Sequence, residues 1–456
     1  MSIESIPVSP LDIGRRRFVE VIPEHFERMC WSRDTLERFR TERLRHLLSV
    51  AKESSPFHSK RLSGRDAGRF EPSDLPSLPV MTKSEMMANF DDVVTDRRIT
   101  RVVLEAHLRE VQSEPALLFD QYFVLTSGGS SGVRGMFAWE RDAGVEFFAT
   151  VLRTGMQQVA NMMGWPPPRP LPIMLAAAAT GMHATRAFIT LARGVASPTI
   201  APATLPIEEL VHLAEDAQPM LIAGYTSTIA RLADERAAGR LSASPRMVVV
   251  TSEQLTPDLS ARIARGFGMP PANNFASTEG LVGSAPPGSD VFDFASDTSI
   301  VEFVDANDRP VAPGVPADHI LLTNLSNHVQ PLIRYRLDDR MIEVESNAAH
   351  GHQRARLEGR NDAYLDFRGT QVHPFALRST FLRHADVIEY QVRYSDTRLT
   401  ADIVIGGAVD SAALAEGLRS ALAAAGGPDI RVDVRVVDHV VRDPNTGKAR
   451  RFIKEA

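Results

Sequence analysis

The stretch from Pro219 to Phe267 constrains the fold more than any other part of the chain. Pro219-Met220-Leu221-Ile222-Ala223-Gly224 is a short apolar run, and an amphipathic segment, Ser227–Arg236, follows it. Arg246-Met247-Val248-Val249-Val250-Thr251 repeats the run, and Pro257–Phe267 repeats the amphipathic segment. Apolar runs of strand length that alternate with helical periodicity call for a parallel sheet covered by helices. The same rhythm extends over roughly Val145 to Gly280. Ligands of such sheets sit beyond the carboxyl ends of the strands, where Thr251-Ser252-Glu253 and Phe275-Ala276-Ser277-Thr278-Glu279 fall.

The flanking segments are of other kinds. Arg33–Glu53 has helical apolar spacing with Ser32 as N-cap. A proline-rich connector from Phe70 to Val80 leads to a second helix start at Thr82-Lys83-Ser84-Glu85. Ile300–Val304 and His319–Asn324 read as strands of a smaller β subdomain. Arg354–Arg368 is charge-rich and holds a candidate hinge at Gly359-Arg360-Asn361-Asp362. Beyond it, Val387–Tyr394, Thr400–Ile405, Ser411–Ala424 and Ile430–Val437 make a compact α+β module. A length of 456 residues fits two or three domains. The expected class is α/β. Residues 1–360 would form a large N-terminal domain of parallel-sheet layers with a small β subdomain, and residues 361–456 a mobile small α+β domain.

Charge and cysteine usage exclude several partners. The net charge is −6 with no basic block, which gives no electrostatic footprint for nucleic acid or an anionic membrane. Cys30 is the only cysteine, so neither an internal disulfide nor a cysteine-based zinc site is available. Met1–Pro10 lacks the apolar core of a signal peptide, and the apolar run Leu171–Ala179 is too short to span a bilayer. A cytoplasmic protein is expected.

Four constellations could carry chemistry. Thr126-Ser127-Gly128-Gly129-Ser130-Ser131-Gly132-Val133-Arg134-Gly135 lies between the β-prone runs Gln121–Leu125 and Met136–Trp139. Its four glycines and four hydroxyls can form a nest of N–H and O–H donors for a polyanion, with Arg134 supplying charge. A polar hairpin turn has the same composition. Phe275–Gly280 offers an aromatic for stacking, a threonine donor and a carboxylate for Mg²⁺, or else a helix start capped by Thr278. Arg334-Tyr335-Arg336-Leu337-Asp338-Asp339-Arg340 sets a carboxylate just after a strand, suited to the two hydroxyls of a ribose or to a surface salt-bridge cluster. Asp443–Arg451 places Lys448 on a proline- and glycine-bearing turn, a cationic finger or an exposed hairpin. His183, after an apolar strand, either gates a pocket or sits half-buried, and His350-Gly351-His352 has no acidic or cysteine companion at metal spacing.

In their order along the chain these pieces resemble the adenylate-forming superfamily of acyl-CoA synthetases and adenylation domains, most closely its phenylacetate–CoA ligase branch. Gly129-Ser130-Ser131-Gly132 stands where that branch has G-T-T-G, and Phe275–Glu279 where it has Y-G-x-T-E. Leu332–Asp339 matches L-I-R-Y-R-T-G-D, with Leu337-Asp338 in place of Thr-Gly. Gly359–Asp362 with Arg368–Pro374 matches the hinge motif, and Gly447-Lys448 the terminal lysine motif. Arg134-Gly135 replaces the Pro-Lys pair of the phosphate loop.

The resemblance implies roles residue by residue. Ser127, Gly129, Ser130, Ser131, Gly132 and Arg134 would hold the ATP phosphates. Thr251, Ser252, Glu253, Asn274, Phe275, Ala276 and Ser277 would line the adenine pocket. Thr278 would touch phosphate, Glu279 would hold Mg²⁺, and Asp339 with Arg360 would bind the ribose. His183 and Tyr225 would face the acyl substrate, Asp362 would be the hinge, and Lys448 the catalytic cation. The implied activity is ATP-dependent activation of a carboxylic acid, aryl or otherwise small, as its adenylate, with transfer to CoA. An amine or a carrier-protein thiol is the alternative acceptor, and a nucleotide-binding protein without catalysis is a lesser alternative. Relatives of the branch commonly form homodimers.

Overall fold

The computed structural model describes residues 9–455 except 111–115, 128–134, 178–189, 204, 346–349, 361–364, 373–376, 378–379, 382–383, 385 and 443–450. The chain divides into two compact units, Met1–Glu358 and Gly359–Ala456.

Among the described residues the first unit holds three sheets. Strands β1 (Tyr122–Ser127) and β2 (Gly135–Glu140) form an antiparallel hairpin. A nine-stranded sheet takes β3 (Leu171–Ala177), β4 (Ala196–Pro202), β5 (Leu221–Tyr225), β6 (Met247–Thr251), β7 (Ala272–Ala276), β8 (Val282–Ala285), β9 (Val291–Phe294), β13 (Asp339–Val344) and β14 (Arg354–Arg360), in the order β13-β14-β9-β8-β7-β6-β5-β3-β4. The third sheet, β10 (Ser299–Val304), β11 (His319–Asn324) and β12 (Tyr335–Leu337), is antiparallel.

The half of the large sheet expected from the apolar alternation is parallel: β4, β3, β5, β6 and β7 run the same way. Helices Thr226–Ala237 and Pro257–Phe267 follow β5 and β6, and the apolar faces of both pack into one core with Ile222, Val248 and Val250. Beyond β7 the sheet turns antiparallel through β8 and β9, and β14 joins it there. The charge-rich Arg354–Arg360, which shows no strand pattern in the sequence, is a strand here, next to the sheet's edge, where Arg354 meets Asp293 at 2.9 Å.

A buried charge cluster fastens the long helices of this unit. Asp297, fully buried, accepts two hydrogen bonds from Arg153 at 2.8 and 3.0 Å. Arg28 reaches Glu146 at 2.6 Å and Asp297 at 3.7 Å, and Arg43 reaches Glu146 at 2.7 Å. Buried charges persist only when paired in this way. His352 belongs to the same region. Its Nδ1 accepts from the Ser296 N–H at 3.2 Å and its Nε2 donates to the Arg28 carbonyl at 2.8 Å, which fixes the tautomer.

The second unit contains a four-stranded sheet of β17 (Val387–Tyr394), β18 (Arg398–Ile405), β19 (Arg431–Val436) and β20 (Phe452–Lys454), ordered β19-β18-β17-β20. Two short strands, β15 (Leu365–Phe367) and β16 (Thr370–Val372), pair with each other. Helix Ser411–Ala424, capped by Asp410, connects the parallel neighbours β18 and β19 and buries Leu414, Leu418 and Leu422.

Candidate functional site

The carboxyl ends of β5, β6 and β7 lie side by side. Tyr225 pairs with Thr251, and Thr251 with Asn274. On the other side of β5, Gly224 allows close pairing with β3, since a Cβ there would lie 2.2 Å from the Ala176 carbonyl oxygen. Immediately after β6, Ser252 has φ +66, a left-handed conformation that costs a non-glycine residue on the order of 1 kcal/mol. The turn carries Glu253 onto the start of the helix after β5. Its carboxylate accepts from the Ser227 N–H at 2.8 Å and its carbonyl from the Thr226 hydroxyl at 3.1 Å. A carboxylate on unsatisfied N-terminal amides is favourable, so Glu253 ties the turn after β6 to the start of the helix after β5.

Phe275 is half-buried on β7, with the rings of Phe292 and Phe294 edge-on at 6.3 and 6.0 Å. Ala276 ends the strand, and 277–280 form a turn into antiparallel β8, not the start of a helix. Ser277 organises the turn: its carbonyl accepts from Gly280 and its hydroxyl from the Leu281 N–H. Gly280 has φ +105, and a Cβ there would lie 2.1 Å from Asn324 Nδ2 and 2.9 Å from the Trp139 ring. The turn therefore sits hard against β2 and β11.

Glu279 is buried, at 4% exposure, a location a carboxylate occupies only with compensation. Thr278 donates to it at 3.3 Å, and Lys83 Nζ stands 3.8 Å from its Oε1. Asn324 Nδ2 donates to the Glu279 carbonyl at 2.8 Å. Tyr335, fully buried, lies near enough for burial and the charges of Glu279 and Asp338 to raise its phenol well above the usual range. Its hydroxyl has no hydrogen-bond partner among the described residues. A buried carboxylate beside a threonine hydroxyl is a hard-oxygen donor set of the kind Mg²⁺ takes when phosphates and water complete its shell, so these residues fit that ion.

The sequence marks Lys83 only as part of a helix start. Thr82 caps that helix by accepting from the Glu85 N–H, and Met81 pairs through its backbone with Arg334 and Arg336, flanking Tyr335. That bridge brings Lys83 to Glu279 from far along the chain. Arg334 itself is structural: with φ +50, it donates to Glu302 at 3.1 Å and to the Leu78 carbonyl at 2.5 Å. Arg336 pairs with Asp338 at 2.9 Å, and Asp339 begins β13 with its side chain buried.

Tyr225, expected to face the acyl substrate, is wholly buried with Leu175, Ala177 and Ala203 at the end of β5. Ser127 and Arg360 are described in their backbones alone, at the ends of β1 and β14. Gly129, Ser130, Ser131, Gly132, Arg134, His183, Asp362 and Lys448 lie outside the described residues. Among the described residues no helix is long and apolar enough to cross a membrane.

No protein-family model matches the sequence, and no curated protein matches it. Solved structures do. A 2-hydroxyisobutyryl-CoA ligase in the postadenylation state, in complex with R3-HIB-AMP, superposes with a TM-score of 0.69 at 17% identity, over 93% of this chain and 91% of the ligase. An open conformation of that ligase with 2-HIB-AMP and CoA gives 0.55 at 18% identity, over 92% and 91%. An anthranilate CoA ligase in complex with anthranoyl-AMP gives 0.50 at 16% identity, over 71% of this chain and 64% of that one. The chain has the fold of these acyl-CoA ligases.

Proposed function

We propose that the protein is an ATP-dependent, AMP-forming ligase that activates a small carboxylic acid as its acyl-adenylate and passes the acyl group to CoA. The observation that carries this reading is the buried Glu279 carboxylate, held with Thr278 and Lys83 at the end of β7. It occupies the position that the matched motif gives to the magnesium carboxylate, within a fold shared with acyl-CoA ligases.

A carboxylate is a poor electrophile. In the first half-reaction its oxygen attacks the α-phosphorus of ATP, the bond to the β-phosphate oxygen breaks, and pyrophosphate leaves. In the second, the CoA sulfur attacks the acyl carbon, AMP leaves, and the thiol proton passes to solvent. Two anions must meet in the first step, so cations and aligned donors lower its barrier. Mg²⁺, when bound, neutralises phosphate charge.

In this reading Glu279 holds the ion and Thr278 donates to phosphate. Phe275 stacks on adenine between Thr251–Glu253 and Asn274–Ser277, while Asp339 and Arg360 take the ribose. The loop Ser127–Arg134 cradles the phosphates, and His183 borders the acid. Lys448 supplies the cation at the reacting carboxylate, and Asp362 serves as hinge. Residues 1–360 thus bind ATP and acid, and 361–456 carry the lysine. These assignments, and the placement near phenylacetate–CoA ligases, rest on the sequence motifs.

ATP–pyrophosphate exchange over a panel of aryl, alkyl and hydroxy acids tests the reading, followed by product analysis with CoA, amines and carrier-protein thiols. Acid-dependent exchange and an acyl-CoA product are expected. Amide products would move the acceptor to an amine, and an absence of exchange with every acid would leave only nucleotide binding.

A further inference from the structure

Lys83 stands at the first position of helix Lys83–Ala88, directly after the Thr82 cap. The N-terminal end of a helix disfavours a cation, because its unpaired N–H groups carry partial positive charge. Local structure therefore does not explain the lysine, and tertiary contacts set its place. Met81 donates to the Arg334 carbonyl at 3.0 Å and accepts from the Arg336 N–H at 2.9 Å, a one-residue bridge opposite Tyr335. Arg334 donates to the Pro76 carbonyl at 3.4 Å as well as to that of Leu78, and Arg61 donates to the carbonyls of Pro79 and Ile333. The segment leading to Lys83 is thus tied along its length to the strand that holds Tyr335.

The side chain is held less firmly than its backbone. Its Nζ lies 3.8 Å from Glu279 Oε1, an ion pair longer than a hydrogen bond, and the lysine is 20% exposed against 5% for the carboxylate. A lysine stem of four carbons can swing while its Cα stays put. Close by, the Tyr335 hydroxyl is wholly buried and has no hydrogen-bond partner among the described residues. Orphaned buried polar groups are rare, and water carried by a hydrated ion would serve this one.

We propose that Lys83 is the resident counter-ion of Glu279 and exchanges there with a divalent cation. The ammonium neutralises the buried carboxylate until the ion takes it, then swings aside while Met81 keeps the backbone in place. This rests on the reading of Glu279 as the magnesium carboxylate, and it adds that a residue which does not ligate the ion sets its affinity. A buried carboxylate with no cation at all is costly. The lysine removes that cost between ions, and competition with the ion is the consequence.

The test uses the full chain without nucleotide and Mn²⁺ as the probe, with unbound Mn²⁺ read by electron paramagnetic resonance. Lys83→Met should bind Mn²⁺ at least fivefold more tightly than wild type, Lys83→Arg within twofold of it, and Glu279→Gln at least tenfold more weakly. In parallel, the chain is treated with an amine-acylating reagent with and without saturating Mg²⁺, and Lys83 is followed by peptide mass spectrometry. Mg²⁺ should raise the labelling of Lys83 at least threefold in wild type and leave it unchanged in Glu279→Gln. Equal or weaker Mn²⁺ binding in Lys83→Met, with binding still lost in Glu279→Gln, would overturn the exchange and leave Glu279 as the metal ligand. Tighter binding without a rise in labelling would make Lys83 a fixed repelling charge and overturn the exchange as well. Mn²⁺ binding that is absent, or unaltered in Glu279→Gln, would remove the magnesium reading of Glu279 and the exchange together. If Lys83→Met does not fold, Lys83→Gln decides by the same readouts. The adenylation reading itself stands or falls on ATP–pyrophosphate exchange.

Discussion

Lys83 Nζ lies 3.8 Å from Glu279 Oε1, with the lysine partly and the carboxylate almost wholly withdrawn from solvent. The pair joins the first residue of helix Lys83–Ala88 to the turn after β7. Lys83→Met should lower the rate of ATP–pyrophosphate exchange on the order of 10²-fold, the usual cost of removing one charge-stabilising group from a reacting centre. Lys83→Arg should retain more activity than Lys83→Met. Initial rates at saturating acid check both, and full activity in Lys83→Met would separate the lysine from the chemistry.

Lys448→Ala addresses the adenylation half-reaction of the proposed mechanism. Adenylate formation should be lost while ATP binding by calorimetry stays within a few-fold of wild type, because a group that acts in the transition state contributes little to ground-state binding. Hydrolysis or CoA transfer from a supplied acyl-adenylate should persist. Normal exchange in this variant would contradict the role.

Gly280→Ala should cost on the order of 2 kcal/mol or more. Its φ of +105 disfavours any side chain, and the added Cβ would meet the Asn324 amide at 2.1 Å. The loss should appear in urea unfolding together with a raised Mg²⁺ requirement, since Asn324 holds the Glu279 carbonyl.

Stability should fall between pH 6.5 and pH 4 through buried histidines. Burial, then the neighbouring Arg28 and Arg153, lower His25 from 6.5 to about 4, against the weaker pull of Asp297 and Glu146. Burial and Arg61 lower His58 to about 3, and burial with His46 and Arg43 lowers His328 to about 4. Each is depressed on folding, so the unfolded chain binds more protons in this window. Stability is whole above pH 6.5 and declines as pH drops towards the folded value. Glu146, held at about 2 against its burial by Arg43 and Arg28, loses its contribution only below about 4.5, outside most of that window. Neither ring nitrogen of His25 has a hydrogen-bond partner among the described residues. His25→Leu should therefore lose about 2 kcal/mol less than wild type between pH 7 and pH 5. Urea titrations at the two pH values measure this, and equal losses would refute it.

Much of the fold was legible because its signals are local. Ser32, Thr82 and Asp410 cap the helices that follow them, and helices Pro257–Phe267 and Ser411–Ala424 begin and end where apolar spacing begins and ends. The parallel half of the large sheet followed from the same alternation. The antiparallel half did not, since β8 and β9 are short and the charges of Arg354–Arg360 hide any strand alternation.

The candidate site divides in the same way. Sequence alone singled out Phe275, Thr278, Glu279 and Asp339, because a stacking ring, a hydroxyl and carboxylates at fixed spacing follow strand ends. It gave no sign of Lys83 or Asn324. Lysine at a helix start and an amide at a strand end are ordinary surface residues until a fold removes them from water. Here the Met81–Tyr335 bridge carries Lys83 to Glu279, and Asn324 holds the Glu279 carbonyl. The sequence determined which elements form and which residue types could meet a nucleotide. Tertiary packing decided which buried carboxylate gains a cation and which turn is held by an amide, because those needs arise only when distant segments exclude water together.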